Sequence, residues 1–352
     1  MGIVGDLQGR FDRDMIAKTD PDNTTEPRSA ATIGIVAIGR NEGARLETCL
    51  TSLLGQTKRV VYADSASSDD SVAVARRSGV EVVVLPNDVP LSAAAGRAAG
   101  YQRLRAKHPE IELVQFIDGD CLLDPDWLAA AARFLGSHPQ AAVVCGRRYE
   151  AHPETSVYNA MCDAEWDTPI GEARACGGDA LYRSAAYEAA GGFHADLLAG
   201  EEPELCGRLR DRGWEIWRID ARMTEHDAKM LGFGQWWRRS RRGGYGYAQV
   251  WNATRKSTDP LYGRQLASAV AWVIFLPLAV TIVASLVGSP WVLAAIPIAY
   301  AAQTVRIYRK IADGRPQQMV RAGLTLLAKV PETSGALRYL LSAERPVAGS
   351  KP

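Results

Sequence analysis

The sequence lacks the cysteine spacings that would announce a zinc site or a disulfide framework. Its six cysteines, Cys49, Cys121, Cys145, Cys162, Cys176 and Cys206, contain no Cys-x-x-Cys pair. A reducing compartment fits that usage best. No Gly-x-Gly-x-x-Gly follows an apolar run and no P-loop is present, which disfavours a nicotinamide, flavin or P-loop nucleotide site. Charge of one sign is also missing. Forty-one Lys and Arg stand against 40 Asp and Glu, a formal net charge of +1, so no global field points to nucleic acid. The first residues hold no apolar run, so no secretory signal is expected. Asp6 stands where a myristoylation motif beginning Met1-Gly2 needs Ser or Thr. Residues 1–30 are polar and aperiodic and read as a flexible N-terminal arm.

What is present centres on Asp118-Gly119-Asp120. Leu113, Val114, Phe116 and Ile117 lead into it, so a buried strand ends in two carboxylates one residue apart. Hard carboxylate oxygens suit Mg²⁺ or Mn²⁺ carrying phosphate oxygens. Gly119 leaves room for a turn and for close approach by a ligand. The plainer alternative is an ordinary acidic turn, since Asp-Gly is a common turn pair.

The flanking chain supplies a setting for that tip. Residues 32–38 are a β-branched apolar run, followed by Gly39-Arg40-Asn41-Glu42-Gly43; Leu46, Cys49, Leu50, Leu53 and Leu54 then recur at helical spacing. Residues 60–63 and 80–85 are further short strands around a helix over 72–77 capped by Asp or Ser. The β-α-β-α-β order predicts an α/β fold with a mostly parallel, helix-covered sheet. Ligands sit at the carboxyl ends of such strands, where Asn41, Glu42, Asp64 and Asp118 fall. Ser92 is placed to cap a helix over 93–106, with Gly96 and Gly100 inside it implying that something approaches closely. Pro125 is expected near the first position of the next helix, and residues 141–145 are another buried strand. Pro203 predicts a helix start with Glu202 at its N-cap, and residues 215–219 a strand. Trp166, between Asp163, Glu165 and Asp167, can stack on a sugar face or fill a wall.

In order and spacing, the Gly-Arg-Asn-Glu-Gly turn, the Asp64-x-Ser-x-Ser-Asp segment and the Asp118-Gly-Asp120 tip resemble the family 2 glycosyltransferases of GT-A fold, over roughly residues 31–250. The resemblance implies a Rossmann-like nucleotide-sugar-binding sheet and an inverting transfer to an acceptor hydroxyl. By resemblance, Asp64 contacts the nucleotide base, Arg97 the nucleotide or diphosphate, and Asp118 the ribose and the metal. Asp120 then binds the metal directly. Ala98 departs from the family's usual Asn after Arg97. Gly177, Gly178 and Asp179 match the Gly-Gly segment beside donor sugar and acceptor, with Asp179 where Asn is frequent. Glu201 and Glu202 match the acidic pair whose second member is the catalytic base, with Glu202 where Asp is usual. His226 stands where many GT-A enzymes place a His near metal and diphosphate. The resemblance thus implies Mg²⁺ or Mn²⁺ as cofactor.

The C-terminal third differs in character. Gln235-Trp236-Trp237-Arg238-Arg239-Ser240-Arg241-Arg242 is cationic and aromatic, a pattern that suits single-stranded nucleic acid or a membrane surface. The apolar spans that follow favour the membrane and no nucleic acid. Gln235 and Arg238 match the Gln-x-x-Arg-Trp of processive synthases, but Arg239 replaces the Trp, which argues against a chain-extruding enzyme. Arg238 and Arg241 are candidate ligands of the donor diphosphate or of a lipid phosphate. Residues 266–288 are uncharged and long enough to span a bilayer, 290–305 are shorter, and Lys and Arg flank both outer ends. The expected division is an arm at 1–30, the catalytic domain at 31–250, a basic juxtamembrane linker at 251–265, two transmembrane helices at 266–305 and an amphipathic cytosolic tail at 306–352. The alternative for the apolar pair is a buried hairpin in a soluble protein. The expected location is the inner, cytoplasmic membrane with the catalytic domain on the cytosolic side. The partners are a nucleotide-diphosphate sugar donor and a lipid-linked or envelope glycan acceptor. A processive polysaccharide synthase, a catalytically silent nucleotide-binding membrane partner and, more weakly, a nucleotidyltransferase are the competing readings.

Overall fold

The computed structural model describes residues 31–86, 91–311 and 313–342. The expected arm at 1–30 and the last ten residues lie outside them. Nine strands form one sheet: β1 Ile33–Gly39, β2 Val60–Asp64, β3 Glu81–Val84, β4 Leu113–Asp118, β5 Cys121–Leu123, β6 Ala141–Glu150, β7 Gly171–Ala173, β8 Ala180–Arg183 and β9 Glu215–His226. Their order is β3-β2-β1-β4-β8-β6-β9-β5, with β7 on β9. The expectation of a mostly parallel sheet is corrected. Pairings β1–β2, β1–β4, β2–β3 and β6–β9 are parallel, but β4–β8, β6–β8, β5–β9 and β7–β9 are antiparallel. Helical crossovers set β1, β2, β3 and β4 parallel; β8 then inserts beside β4 in the opposite sense, and β6 and β9 beyond it pair in parallel again.

β1 is apolar through its middle because helices cover both faces; Ile35, Val36 and Ala37 are fully buried beside Leu46, Leu50 and Phe116. Ser92 caps the Ala93–Lys107 helix, its Oγ accepting from the Ala95 amide at 3.1 Å. What approaches its glycines is the sheet: a Cβ on Gly100 would run into Val36 Cγ1, and one on Gly96 would lie 3.4 Å from Ile38 Cγ2. Omitting those side chains lets the helix sit low on β1 and carry Arg97 over the strand ends. Trp127 opens its helix with Asp126 as N-cap, so Pro125 precedes the cap rather than occupying the first turn.

Phe233–Thr254 is a 22-residue helix crossed by the Lys329–Leu341 helix at near backbone contact. A Cβ on Gly335 would overlap the Arg241 carbonyl, and one on Gly244 the Glu332 carbonyl. Among the described residues one helix, Gly263–Val287, is long and apolar enough to cross a membrane. It contains a π-helical turn, Ala271–Phe275, just before Pro277, which lacks the N–H a regular helix needs. Over the expected second span a 3₁₀ segment, Pro290–Ala294, runs on into the Ala295–Lys310 helix. The chain reverses at Gly288, φ +69°, and the Tyr300 hydroxyl donates to the Trp272 carbonyl at 2.8 Å.

Candidate active site

The carboxyl ends of β1, β2, β4, β6 and β9 point the same way, and the candidate residues collect there. Gly119 makes the tip possible: its amide donates to the Ile38 carbonyl at 2.6 Å, and a Cβ would lie 3.0 Å from that oxygen. The close approach the sequence implied at this glycine is thus made by β1.

Arg97 binds the tip to the acidic pair. Its side chain is only 2% exposed, and its Nη2 donates to Asp118 Oδ1 at 2.9 Å. Its Nη1 donates to Glu201 Oε1 at 2.5 Å and Glu202 Oε1 at 2.9 Å. Gly178 is required beside this clamp, because a Cβ would strike Arg97 Nη2 and lie 3.1 Å from Glu202 Oε1; Gly177 faces open space. The helix bearing the two glutamates is Glu201–Arg210 with Gly200, φ +80°, at its N-cap. Glu202 is therefore the second helical residue, not the cap. Pro203 falls at the third, where it again costs no intrahelical hydrogen bond. Burial, then the charge of Glu201, push the Glu202 carboxyl up to about 7, against the opposing pull of Arg97. Glu201 is the more deeply buried of the two.

Asp118 keeps its second oxygen, Oδ2, 3.2 Å from Arg148 Nη2. Burial would raise its pKa, but Arg97 and Arg148 outweigh burial and hold it below the usual carboxylate range. Asp120 Oδ2 lies 3.0 Å from His226 Nε2 and 3.6 Å from Arg45 Nη1. Burial again opposes, and the His226 hydrogen bond and the nearby cations prevail, lowering its pKa. Asp179 is fully buried and faces inward, accepting from the Asp118 amide at 3.2 Å and the Thr224 hydroxyl at 2.7 Å. Glu42 receives Arg45 at 2.7 Å, and burial followed by the charge of Asp120 raises its pKa.

The second loop is knitted to the first. Buried Asp64 accepts from Ser67 N at 2.7 Å, Ser67 Oγ at 2.6 Å and Tyr62 OH at 3.1 Å. Asn41, φ +59°, donates its backbone amide to Ser67 Oγ at 2.8 Å, and its Oδ1 accepts from the Ser68 amide at 2.8 Å. Arg238 and Arg241 are exposed on the Phe233–Thr254 helix. The acids of the centre pair instead with Arg45, Arg97, Arg148 and His226. Arg45 and Arg148 escaped the sequence reading. A sequence signal existed for the second: Arg147-Arg148 closes a buried apolar run, so two cations arrive at a strand's carboxyl end. Trp166 stands at the edge of the centre, with the Arg148 guanidinium 4.8 Å above its ring and His226 edge-on at 5.0 Å.

The donor atoms of Asp120, Cys121 and His226, and those of Asp118, Cys121 and Asp179, lie within 4.8 Å of one another in each group. Burial pushes the Cys121 thiol above its ordinary pKa, and its sulfur is a soft donor that matches Mg²⁺ or Mn²⁺ less well than oxygen does. That leaves carboxylate oxygen and imidazole nitrogen, a set that fits Mg²⁺ or Mn²⁺. Asp120 and His226 of the first group, with Asp118 of the second, would hold such an ion; Asp179, fully buried, faces inward to the Asp118 amide and Thr224.

A mixed α/β sheet gathers clustered carboxylates, an aspartate–histidine pair and buried arginines at its strand ends, a set chemically suited to group transfer. Residues 35–179 match the family described as "Glycosyl transferase family 2". The match covers that segment, 145 of the 352 residues, and supports a glycosyltransferase. No curated protein matches the chain. Among solved structures it is similar to the mannosyltransferase PcManGT from Pyrobaculum calidifontis, in complex with GDP-Man and Mn²⁺. The two are 18% identical over 93% of this chain and 92% of that one, with a TM-score of 0.58, a likeness of fold. It also aligns with S. aureus TarS 1–349 in complex with UDP-GlcNAc, 13% identical over 88% and 91% of the two chains, at a TM-score of 0.46.

Proposed function

We propose that the protein transfers a sugar, with inversion, from a nucleoside diphosphate sugar to an acceptor hydroxyl, with Mg²⁺ or Mn²⁺ bound at the Asp118-Gly119-Asp120 tip. The observation that carries the reading is the Arg97 clamp. It draws Asp118, at one end of the site, and Glu202, at the other, onto one guanidinium. The metal-binding tip and a carboxylate poised near neutral pH thereby share one rigid frame.

Glu202 takes the proton of the acceptor hydroxyl. The freed oxygen attacks the anomeric carbon, the bond from that carbon to the diphosphate oxygen breaks, and its electron pair leaves with the diphosphate. Attack opposite the leaving group inverts the centre. A bound divalent cation supplies charge neutralisation for the departing diphosphate. Arg97 holds Glu202 oriented, and Glu201, deeper, keeps Arg97 in place. The Mn²⁺ and GDP-Man in the mannosyltransferase of like fold support donor class and cofactor.

The acceptor we propose is lipid-linked or an envelope glycan, met at the cytosolic face of the inner membrane. The chain on both sides of the apolar segment packs on the catalytic domain. Phe233–Thr254 precedes it, while Arg315, after it, pairs with Asp167 at 2.8 Å and Asp163 at 3.1 Å. These contacts, and the flanking Arg255, Lys256, Arg264, Arg306, Arg309 and Lys310, support a reading in which both ends face the cytosol. A hairpin that enters and leaves by the cytosolic face accounts for this arrangement.

The test is nucleoside diphosphate release from UDP-, GDP- and dTDP-sugars with Mn²⁺ or Mg²⁺. Release from one donor, abolished by EDTA and lost in both Glu202→Gln and Asp120→Asn, is the expected result. Full activity in either variant would sink the role assigned to that residue.

A further inference from the structure

Two guanidinium groups sit in the acidic cluster, and the structure satisfies them unequally. Arg97 is locked, with three carboxylates at 2.9 Å or closer. Arg148 is held loosely. Its Nη2 lies 3.2 Å from Asp118 Oδ2 and 3.3 Å from the Cys121 thiol, a weak acceptor. Its Nη1 is 3.6 Å from Asp179 Oδ2, beyond hydrogen-bond range, and that oxygen is already engaged by Thr224. Its Nε, like that of Arg97, is buried with no acceptor among the described residues. A guanidinium has five N–H donors, and this one makes a single full contact with a carboxylate. Its other support is the flat face of Trp166 at 4.8 Å, which constrains tilt more than in-plane movement.

The oxygen it does contact matters. Arg97 takes Asp118 Oδ1, so Oδ2 is the Asp118 oxygen left for a cation, and Arg148 occupies it. Around it stand Asp118, Asp120, Asp179, Glu201, Glu202 and Glu42, against Arg45, Arg97, Arg148 and His226. A diphosphate entering such an acid-rich centre needs positive charge, and a guanidinium with unused donors is suited to give it.

We propose that Arg148 is a built-in counter-ion of the donor site. It neutralises Asp118 while the donor is absent, yields Oδ2 to the arriving divalent cation, and turns its unused N–H groups to the diphosphate. The inference rests on the donor and metal reading above and names a further binding residue for it. Its consequence has a sign that a bracing residue does not share. Removing an arginine that only braces the fold weakens both ligands. Removing a counter-ion that competes with the cation strengthens cation binding and weakens diphosphate binding.

The experiment titrates Mn²⁺ into the full chain in detergent, following free Mn²⁺ by electron paramagnetic resonance. UDP and GDP are then titrated calorimetrically at saturating Mn²⁺. Wild type is compared with Arg148→Met and Arg148→Lys. Removing a unit charge a few ångströms from the ion is expected to tighten Mn²⁺ at least about fivefold in Arg148→Met and to weaken the nucleoside diphosphate at least about tenfold. Arg148→Lys, which keeps the charge and loses the fork, is expected to hold Mn²⁺ within about twofold of wild type and to weaken the diphosphate. Unchanged or weaker Mn²⁺ binding in Arg148→Met, or unchanged diphosphate binding in either variant, overturns the proposal. If Arg148→Met fails to fold, Arg148→Lys decides: a weakened diphosphate with Mn²⁺ held within about twofold supports the proposal, and weakening of both ligands overturns it. Wild type that binds neither ligand sinks the donor reading, and this inference with it. Wild type that binds both, with the wrong sign in the variants, sinks only the inference.

Discussion

Glu202 carries the sharpest chemical consequence. Its carboxyl titrates near 7 rather than at the ordinary 4.5 because it is buried and faces Glu201. The proposed base must be ionised, so kcat is expected to rise with pH through an apparent value of about 7, to which Arg97, Asp118 and bound ligands also contribute. Stability runs the other way. A carboxyl whose folded pKa is raised favours folding fully below about pH 4.5 and loses that contribution as pH rises through about 7. Glu202→Gln is therefore expected to lose roughly 10²–10⁴-fold in rate while its thermal midpoint at pH 8 stays level or rises. A midpoint that falls would mean the ionised carboxylate is needed by the fold. Arg97→Met makes the opposite prediction. It strips the partner from three gathered carboxylates, so unfolding is expected to become easier by about 3–5 kcal/mol, read from the denaturation midpoint. Arg97→Lys should rescue little, since one ammonium cannot span the fork that reaches Asp118 and both glutamates. At this scale the strand-end carboxylates are legible in the sequence as Asp after an apolar run. The sequence did not show that Arg97 faces Asp118, Glu201 and Glu202, positions up to 105 residues away along the chain.

Among the elements, the crossing of Phe233–Thr254 by Lys329–Leu341 is the contact that glycine alone permits. Gly335→Ala places a methyl against the Arg241 carbonyl and the Tyr245 amide, both backbone and unable to yield. The crossing is expected to open at a cost of about 1–3 kcal/mol, seen as faster amide exchange in both helices; unchanged exchange would show that the helices can slide apart freely. The same logic explains which elements the sequence hid. β9 reads as a strand only over 215–219, yet runs to His226 because β5, β6 and β7 pair along it. β5 is three residues with no periodicity of its own, and it exists because β9 lies alongside. The apolar residues of β1, β2 and β4 needed no such help, since their burial on both faces is written as β-branched runs.

Across the whole molecule, the C-terminal helices are part of the catalytic unit's packing and not only an appendage. Leu324 and Ala328 pack with Trp166, Trp236 and Met230, and Trp166 touches His226 and Arg148. Ending the chain after Thr254 would remove the partner of Phe233–Thr254 and one wall behind Trp166. Such a truncation is expected to aggregate, whereas the full chain should float with lipid vesicles and remain bound at high salt, because apolar burial is not screened. A soluble, active truncation would refute the structural part of that expectation, and release of the full chain by salt would refute the membrane part.

By itself the sequence determined what local pattern can encode: the first half of the sheet, the Ser92 cap, the acidic tip, the glycine positions and the long apolar helix. Each follows from residue types within a few positions of one another. Tertiary structure alone decided the sense of β8, the extent of β9, the 3₁₀ start of residues 290–305, and the company each charged group keeps. Arg148 illustrates the difference. In sequence it is one of 41 basic residues. In the fold it rests on Trp166 and meets Asp118, because β6 and β4 end side by side around β8. Charge pairing over such separations depends on strand order, and strand order is settled by packing the whole sheet rather than by any stretch of it.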